Sequence, residues 1–225
     1  MEAKIEPLNE AELDDFIRTY WAAFEPLEAN MIMPMIFRNG PNEQFMEWSR
    51  QRIRRLTGGD LASWCFTAKD IRSGEILGVS WWSYTPNPPQ TGSEIDKAYR
   101  EACGQMAKEP RVDGRNAELH QAFFKASFHA EMETVAGRPY MCLRMLGVNP
   151  KYHRQGAGTL LLKHGLQRAD ELGLPVYLDC GVMGKPLYER YGFQNMGDFP
   201  LNCLDYGGRS DGRHLLMWRP AKNEQ

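Results

Sequence analysis

One stretch limits the fold of this 225-residue chain more than any other. The apolar run Leu143-Arg-Met-Leu-Gly-Val148 reads as a strand. Ten residues after it begins, the chain turns through His153-Arg-Gln-Gly-Ala-Gly158 and enters an amphipathic helix. Leu161, Leu162, Leu166, Ala169 and Leu172 recur on one face of that helix, Lys163, Gln167, Asp170 and Glu171 lie on the other, and Gly173 ends it. The first turn of a helix leaves several N–H groups without partners, and the aligned peptide dipoles add partial positive charge there. Gly156 and Gly158 carry no Cβ, so an anion can approach the main chain closely. Strand, glycine turn and bare helix N-terminus therefore predict a phosphate-bearing cofactor. Two familiar phosphate loops are excluded: the chain has no Gly-Lys-Ser/Thr here, and the third glycine and ribose carboxylate of a dinucleotide fingerprint are missing.

Beyond the helix comes a second apolar run, Pro175-Val-Tyr-Leu-Asp-Cys180, and then Gly184-Lys-Pro-Leu-Tyr-Glu-Arg-Tyr-Gly-Phe193. From Leu143 to Phe193 the chain resembles the acyl-CoA binding core of the GCN5-related N-acetyltransferase (GNAT) superfamily. That family's loop reads Gln or Arg, two residues, Gly, one residue, Gly or Ala; His153 stands in the first place here, Gly156 and Gly158 in the others. The second mark, Leu-Tyr followed by Gly-Phe, is present in a slightly longer form as Leu187-Tyr188 and Gly192-Phe193. The resemblance is strong over about a quarter of the chain, residues 143–193, and elsewhere rests on layout.

The resemblance implies an α/β (α+β) GNAT fold, a central twisted mixed sheet flanked by helices, as a single domain over 1–225. It implies acetyl-CoA as acyl donor and direct attack by an amine on the thioester in a ternary complex. The backbone positions matching the family's donor contacts are Met145, Leu146 and Val148, with His153, Arg154, Gln155, Gly156, Ala157, Gly158 and Thr159 in the loop and helix start. Tyr188 matches the family's tyrosine beside the donor sulfur. A phenol, with an ordinary pKa of about 10, suits it to protonate a departing thiolate. The base departs from the pattern: Cys142 and Arg144 occupy the strand places where other members carry Glu or His, and neither serves as a base near neutral pH. Asp179, on the neighbouring strand, is the candidate to contact the amine or orient a water; His120 and His129 are further candidates.

Arg144 stands in an apolar strand, which is costly unless the guanidinium is paired. Its expected partner is a substrate carboxylate or phosphate, or else Glu131, Glu133 or Asp179. Phe24 and Met31 are expected at the acceptor. Trp21, Met33, Phe37, Trp81 and Trp82 read as core or as pocket wall.

The remaining layout alternates α and β. Lys4 to Pro7 reads as a strand, Asn9 with Glu12 caps a helix to Phe24, and Asn42 opens another that ends near Gly58. Ala62–Lys69 and Glu75–Tyr84 read as a hairpin about Ser73-Gly74. Residues 85–138 form an insertion before the donor-binding strand, with helices expected around 95–106 and 116–135. The first is poor in apolar residues and is expected to be mobile; the second, with Leu119, Phe123, Phe124 and Phe128, should pack on the core, either as scaffold or as an acceptor-site wall that sets substrate choice.

Composition closes off other classes. A formal net charge of −2 gives no basic excess for nucleic acid, and Arg50, Arg52, Arg54 and Arg55 read as a solvated helix face. Five cysteines without close pairs argue for reduced thiols and against structural zinc or any metal site. No apolar segment is long enough to span a membrane, and a cytoplasmic setting is expected. The expected partners are a small-molecule amine and, for assembly, a second copy in a homodimer. Alternative readings are acetylation of a protein lysine or N-terminus, and a non-catalytic acyl-CoA-binding regulatory protein.

Overall fold

The computed structural model describes residues 2–25, 32–208 and 213–224. Its frame is a sheet in the order β1-β2-β3-β4-β5-β7-β6, antiparallel throughout except between β4 and β5. The strands are β1 (Ala3–Pro7), β2 (Cys65–Asp70), β3 (Ile76–Thr85), β4 (Tyr140–Val148), β5 (Val176–Gly181), β6 (Gln194–Asp198) and β7 (His214–Arg219). The helices are α1 (Leu13–Phe24), α2 (Ile32–Ile36), α3 (Glu43–Leu56), α4 (Leu61–Trp64), α5 (Gly92–Met106), α6 (Ala117–Val135), α7 (Ala157–Glu171) and α8 (Lys185–Arg190). Among the described residues no helix is long and apolar enough to cross a membrane.

Local chemistry sets these boundaries. The Asn42 side chain accepts from the Phe45 N–H at 2.9 Å and starts α3, while Thr91 and Glu94 form a reciprocal capping box that starts α5. The strand expected from Ala62 begins three residues later, at Cys65, because Asp60 accepts from the Ser63 N–H and turns 61–64 into one helical turn. The helix expected from Asn9 opens as a 3₁₀ turn at Glu10–Glu12 before α1 takes over.

The two faces of the sheet bury different things. On one, α7 lays Leu161, Leu162, Leu166 and Ala169 against Trp82, Met141, Leu143 and Leu178. Gly165 is required there, since a Cβ would run into the Trp82 indole. On the other lie α1, α2 and α3, with Phe16, Trp21, Phe37, Phe45 and Trp48 packed under Val79, Trp81 and Met145. The insertion joins this second face: α6 sets Met132 and Val135 on Tyr140, Cys142, Tyr177 and Trp218. α5 buries no residue fully and is held through Tyr99, which stacks on Phe124 at 5.9 Å. Of the candidate pocket aromatics, Trp82 thus faces α7 and Trp81 the opposite side.

Candidate active site

β4 and β5 pair only at Met141–Val176 and Cys142–Tyr177. β4 runs on to Val148 and β5 to Gly181, so a gap opens between two parallel strands and the β5-facing backbone groups of β4 beyond Cys142 have no strand partner. Opposite the gap, the β3–β4 register jumps from Trp81–Met145 to Trp82–Leu143, which leaves Arg144 as the extra residue of a bulge. Met145, Leu146 and Val148 lie at and just past this point.

The glycine turn leads straight into α7. His153 turns back to place Nε2 3.0 Å from the Val148 carbonyl, Arg154 has φ +60°, and Gly156 has φ +96°, a conformation that only glycine adopts cheaply. A Cβ at Gly156 would meet nothing within 4 Å, so its glycine is demanded by the backbone angle; at Gly158 a Cβ would come within 3.3 Å of Val148. No side chain caps α7, so the N–H groups of Ala157, Gly158 and Thr159 remain open at its N-terminus. An uncapped N-terminus beside unpaired strand backbone fits an extended donor that ends in phosphates. Gln155 spends its amide on the Lys151 carbonyl at 3.3 Å.

Tyr188, on α8, is 7% exposed and meets Phe193 edge-on at 5.6 Å. Gly184 seats it: a Cβ there would lie 2.8 Å from the ring. Burial pushes the phenol well above its usual range, with the negative charge of Asp179 adding to the effect, so it stays protonated. Cys142 is held as a thiol far above the usual range by burial, and Cys180 is pushed up to about 12 for the same reason.

The structure supplies Arg144 with a partner from within the chain. Its guanidinium meets Glu131 of α6 through two hydrogen bonds, at 2.6 and 2.8 Å, and donates to Ser83 Oγ at 2.8 Å. The Tyr140 hydroxyl also donates to Glu131. Desolvation works against the charge on Arg144, and the Glu131 carboxylate paired with it holds the guanidinium charged. Glu131 was one of three carboxylates the sequence offered; which one closed the pair depended on how α6 lies across β4.

On β5, Asp179 shares the α6 face with Tyr177, and its carboxylate stands 3.6 Å from Nδ1 of His214 on β7. His214 is 8% exposed, and both ring nitrogens and the Tyr177 hydroxyl are buried without a hydrogen bond. Phe123 and Phe199 enclose the imidazole at 6.4 and 5.9 Å. Sequence reasoning missed His214; its one signal was a polar residue opening the apolar run His214-Leu-Leu-Met-Trp. The other histidine candidates sit apart. His120 lies 5.8 Å from both Phe37 and Trp48 and is pushed down to about 4, mainly by burial, while His129 packs on Tyr99 at 5.0 Å beneath α5. Phe24 lies on β4: a Cβ at Gly147 would come within 3.3 Å of its ring. Met31 falls outside the described residues.

The run of arginines on α3 divides. Arg50 pairs with Asp14, Glu43 and Glu47, Arg54 with Glu10, and Arg55 with Glu109. Arg52 instead turns inward, where its guanidinium lies over the rings of Trp48 and Trp81 at 5.5 and 5.3 Å. The solvated face expected of these four residues fails at Arg52, and Arg50 and Arg55, tied into ion pairs, are themselves partly covered.

Known proteins resemble this chain in family and in fold. The model of the acetyltransferase (GNAT) family matches residues 37–193. Over 59 residues the chain is 37% identical to the uncharacterized N-acetyltransferase YafP of Escherichia coli K12, a stretch that is 26% of this chain and 37% of that protein's length. Arylalkylamine N-acetyltransferase 2 of Aedes aegypti superposes with a TM-score of 0.66 at 13% identity, over 97% of this chain and 98% of that one. A structure from Corynebacterium glutamicum, described as histone acetyltransferase HPA2 and related acetyltransferase, superposes with a TM-score of 0.59 at 18% identity, over 98% and 97%.

Proposed function

This chain belongs to the acetyltransferase (GNAT) family, and on that premise we propose that it acetylates the primary amine of a small molecule, with acetyl-CoA as donor and both substrates bound at once. The observation that carries the reading is the gap between β4 and β5, which has the uncapped start of α7 at one side and the hydrogen-bonding face under α6 at the other. When bound, acetyl-CoA supplies an acetyl group already activated as a thioester.

The chain's own residues divide the work. The N–H groups of Ala157, Gly158 and Thr159 hold the pyrophosphate, and the unpaired backbone of β4 at Met145, Leu146 and Val148 holds the extended arm and meets developing negative charge. Tyr188 keeps a proton at its hydroxyl for the departing thiolate, and that hydroxyl makes no hydrogen bond within the described residues. The Asp179 carboxylate stands 3.6 Å from His214 Nδ1, beyond hydrogen-bond reach, and steadies positive charge on the imidazole as Nε2 accepts the proton of the amine, directly or through one water. Cys142 and Cys180, with thiols pushed up by burial, are unsuited to carry the acetyl group, which favours direct attack. α6 crosses β4, β5 and β7 and closes the acceptor face, which favours a small acceptor over a protein segment.

Release of CoA thiol is expected with at least one class of small primary amine and not with a histone-tail peptide. Tyr188→Phe is expected to lower kcat about 10²-fold while acetyl-CoA still binds. Turnover on the peptide alone overturns the small-acceptor reading, and binding without turnover on anything supports a non-catalytic acyl-CoA binder.

A further inference from the structure

Of the partly buried arginines Arg52, Arg55, Arg115 and Arg144 on the acceptor face, Arg52 is the one without an acidic partner among the described residues. Arg144 is neutralised by Glu131, and Arg55 and Arg115 share Glu109. Arg52 is partly buried between Trp48 and Trp81 and has neither an ion pair nor a hydrogen bond among the described residues. The carboxylate whose field reaches it, Glu109, is committed to Trp48 Nε1 at 2.7 Å and to Arg55 at 2.6 Å. Arg55 and Arg144 add like charge, and burial, the largest effect, lowers the guanidinium below its usual range. Stacking on two indoles returns only part of what desolvating a cation costs, and it leaves the N–H fork of the guanidinium unspent.

A second donor lies unspent beside it. The Nε1 of Trp81 is buried without a hydrogen-bond partner, and Trp81 is the ring over which Arg52 sits. Buried donors are almost always satisfied, so the orphaned Trp81 Nε1 beside an unpaired, partly exposed guanidinium indicates an acceptor group that arrives from outside the chain. Their position says what brings it. Trp81 pairs with Met145 at the bulge, and Tyr20, whose phenol is also within the field of Arg52, lies one turn before Phe24 on α1 and meets that ring edge-on at 5.5 Å. This is the face of the sheet opposite α7, the acceptor side in the proposed function.

Taking the small-amine reading as given, we propose that the acceptor carries a carboxylate, received by the Arg52 guanidinium and Trp81 Nε1. A planar fork with five donors matches the two oxygens of a carboxylate, and the uncompensated positive charge disfavours polyamines and other dications. The preferred substrates are therefore amino acids or longer amino-carboxylic acids. Simple alkylamines and arylalkylamines leave the fork unpaired and bind worse.

The test uses acceptor pairs that differ by one carboxylate: phenylalanine against phenethylamine, and 6-aminohexanoate against hexylamine. For at least one pair, kcat/KM is expected to be at least about tenfold higher for the acid, mainly through KM. Arg52→Met is expected to bring that ratio to about one while Arg52→Lys retains part of it, with circular dichroism and acetyl-CoA affinity as controls for folding. A ratio near one for both pairs in the unaltered protein overturns the proposal, as does an equal loss on both members in Arg52→Met. If no amine turns over, the small-amine reading fails. The subsite is then decided by indole fluorescence with the same acids: a saturable change lost in Arg52→Met sustains it, and no saturable change overturns it.

Discussion

The two faces of the sheet are built by opposite rules. Under α7 the interior is dry, with leucines, alanines and a tryptophan interlocked over Met141, Leu143 and Leu178; among the described residues the Tyr188 hydroxyl is the exception in that cluster, a polar group without a hydrogen bond. Under α1, α3 and α6 the interior holds the Arg144–Glu131–Tyr140 network, the Asp179–His214 pair, Arg52, and the unpartnered polar atoms of Trp21, Ser49, Trp81, Arg115, Tyr177 and His214. Every such atom weakens the fold unless a ligand satisfies it. On the proposed function the lesson is a division of labour: the α7 face would supply stability and a fixed frame for the donor, and the opposite face would give up stability for recognition and proton handling.

The sharpest way to break this contrast is to disturb the dry face. Gly165→Leu drives a side chain into the Trp82 indole, and chemical denaturation is expected to show a loss of about 3 kcal/mol or more. A loss below about 1 kcal/mol would mean that the α7 face is not close-packed. On the wet face the expected cost is smaller and of a different kind. Glu131→Ala strips the Arg144 guanidinium and the Tyr140 hydroxyl of their shared partner, at a cost of about 2 kcal/mol, reduced because Arg144 keeps 33% of its side chain exposed. If the cost is that of an orphaned charge, adding Arg144→Met to Glu131→Ala recovers much of it in the same measurement; no recovery would show that α6 is held by packing alone.

The same contrast explains what could be read from the sequence. The donor half is contiguous: strand, glycine turn, helix, strand and Tyr188 follow one another within 143–193, and each carries a local signature in periodicity, glycine placement or capping. The acceptor half is assembled across the fold. Arg144 and Glu131 are 13 residues apart and meet because α6 folds back over β4, and Asp179 meets His214 because β5 and β7 pair antiparallel with Gly181 opposite His214. Arg52 looked like one of four surface arginines, and only the packing of α3 on β3 separates it from its neighbours. The local start of the β2 strand was misjudged for a related reason: Asp60 as a helix cap outweighed the strand-like run that follows it.

The most direct test of the division crosses one substitution from each half with both substrates. Gly156→Val forces a β-branched residue into a φ of +96° and is expected to raise KM for acetyl-CoA about tenfold or more while KM for the amine moves less than about twofold. Asp179→Asn is expected to leave acetyl-CoA binding in place and lower kcat about 10²-fold, with partial recovery as pH rises and more of the amine is already neutral. Effects that fall in separate columns in this way support a frame that holds the donor and an opposite face that handles the acceptor. If either substitution shifts both substrates equally, the two faces are one cooperative site and the account is contradicted.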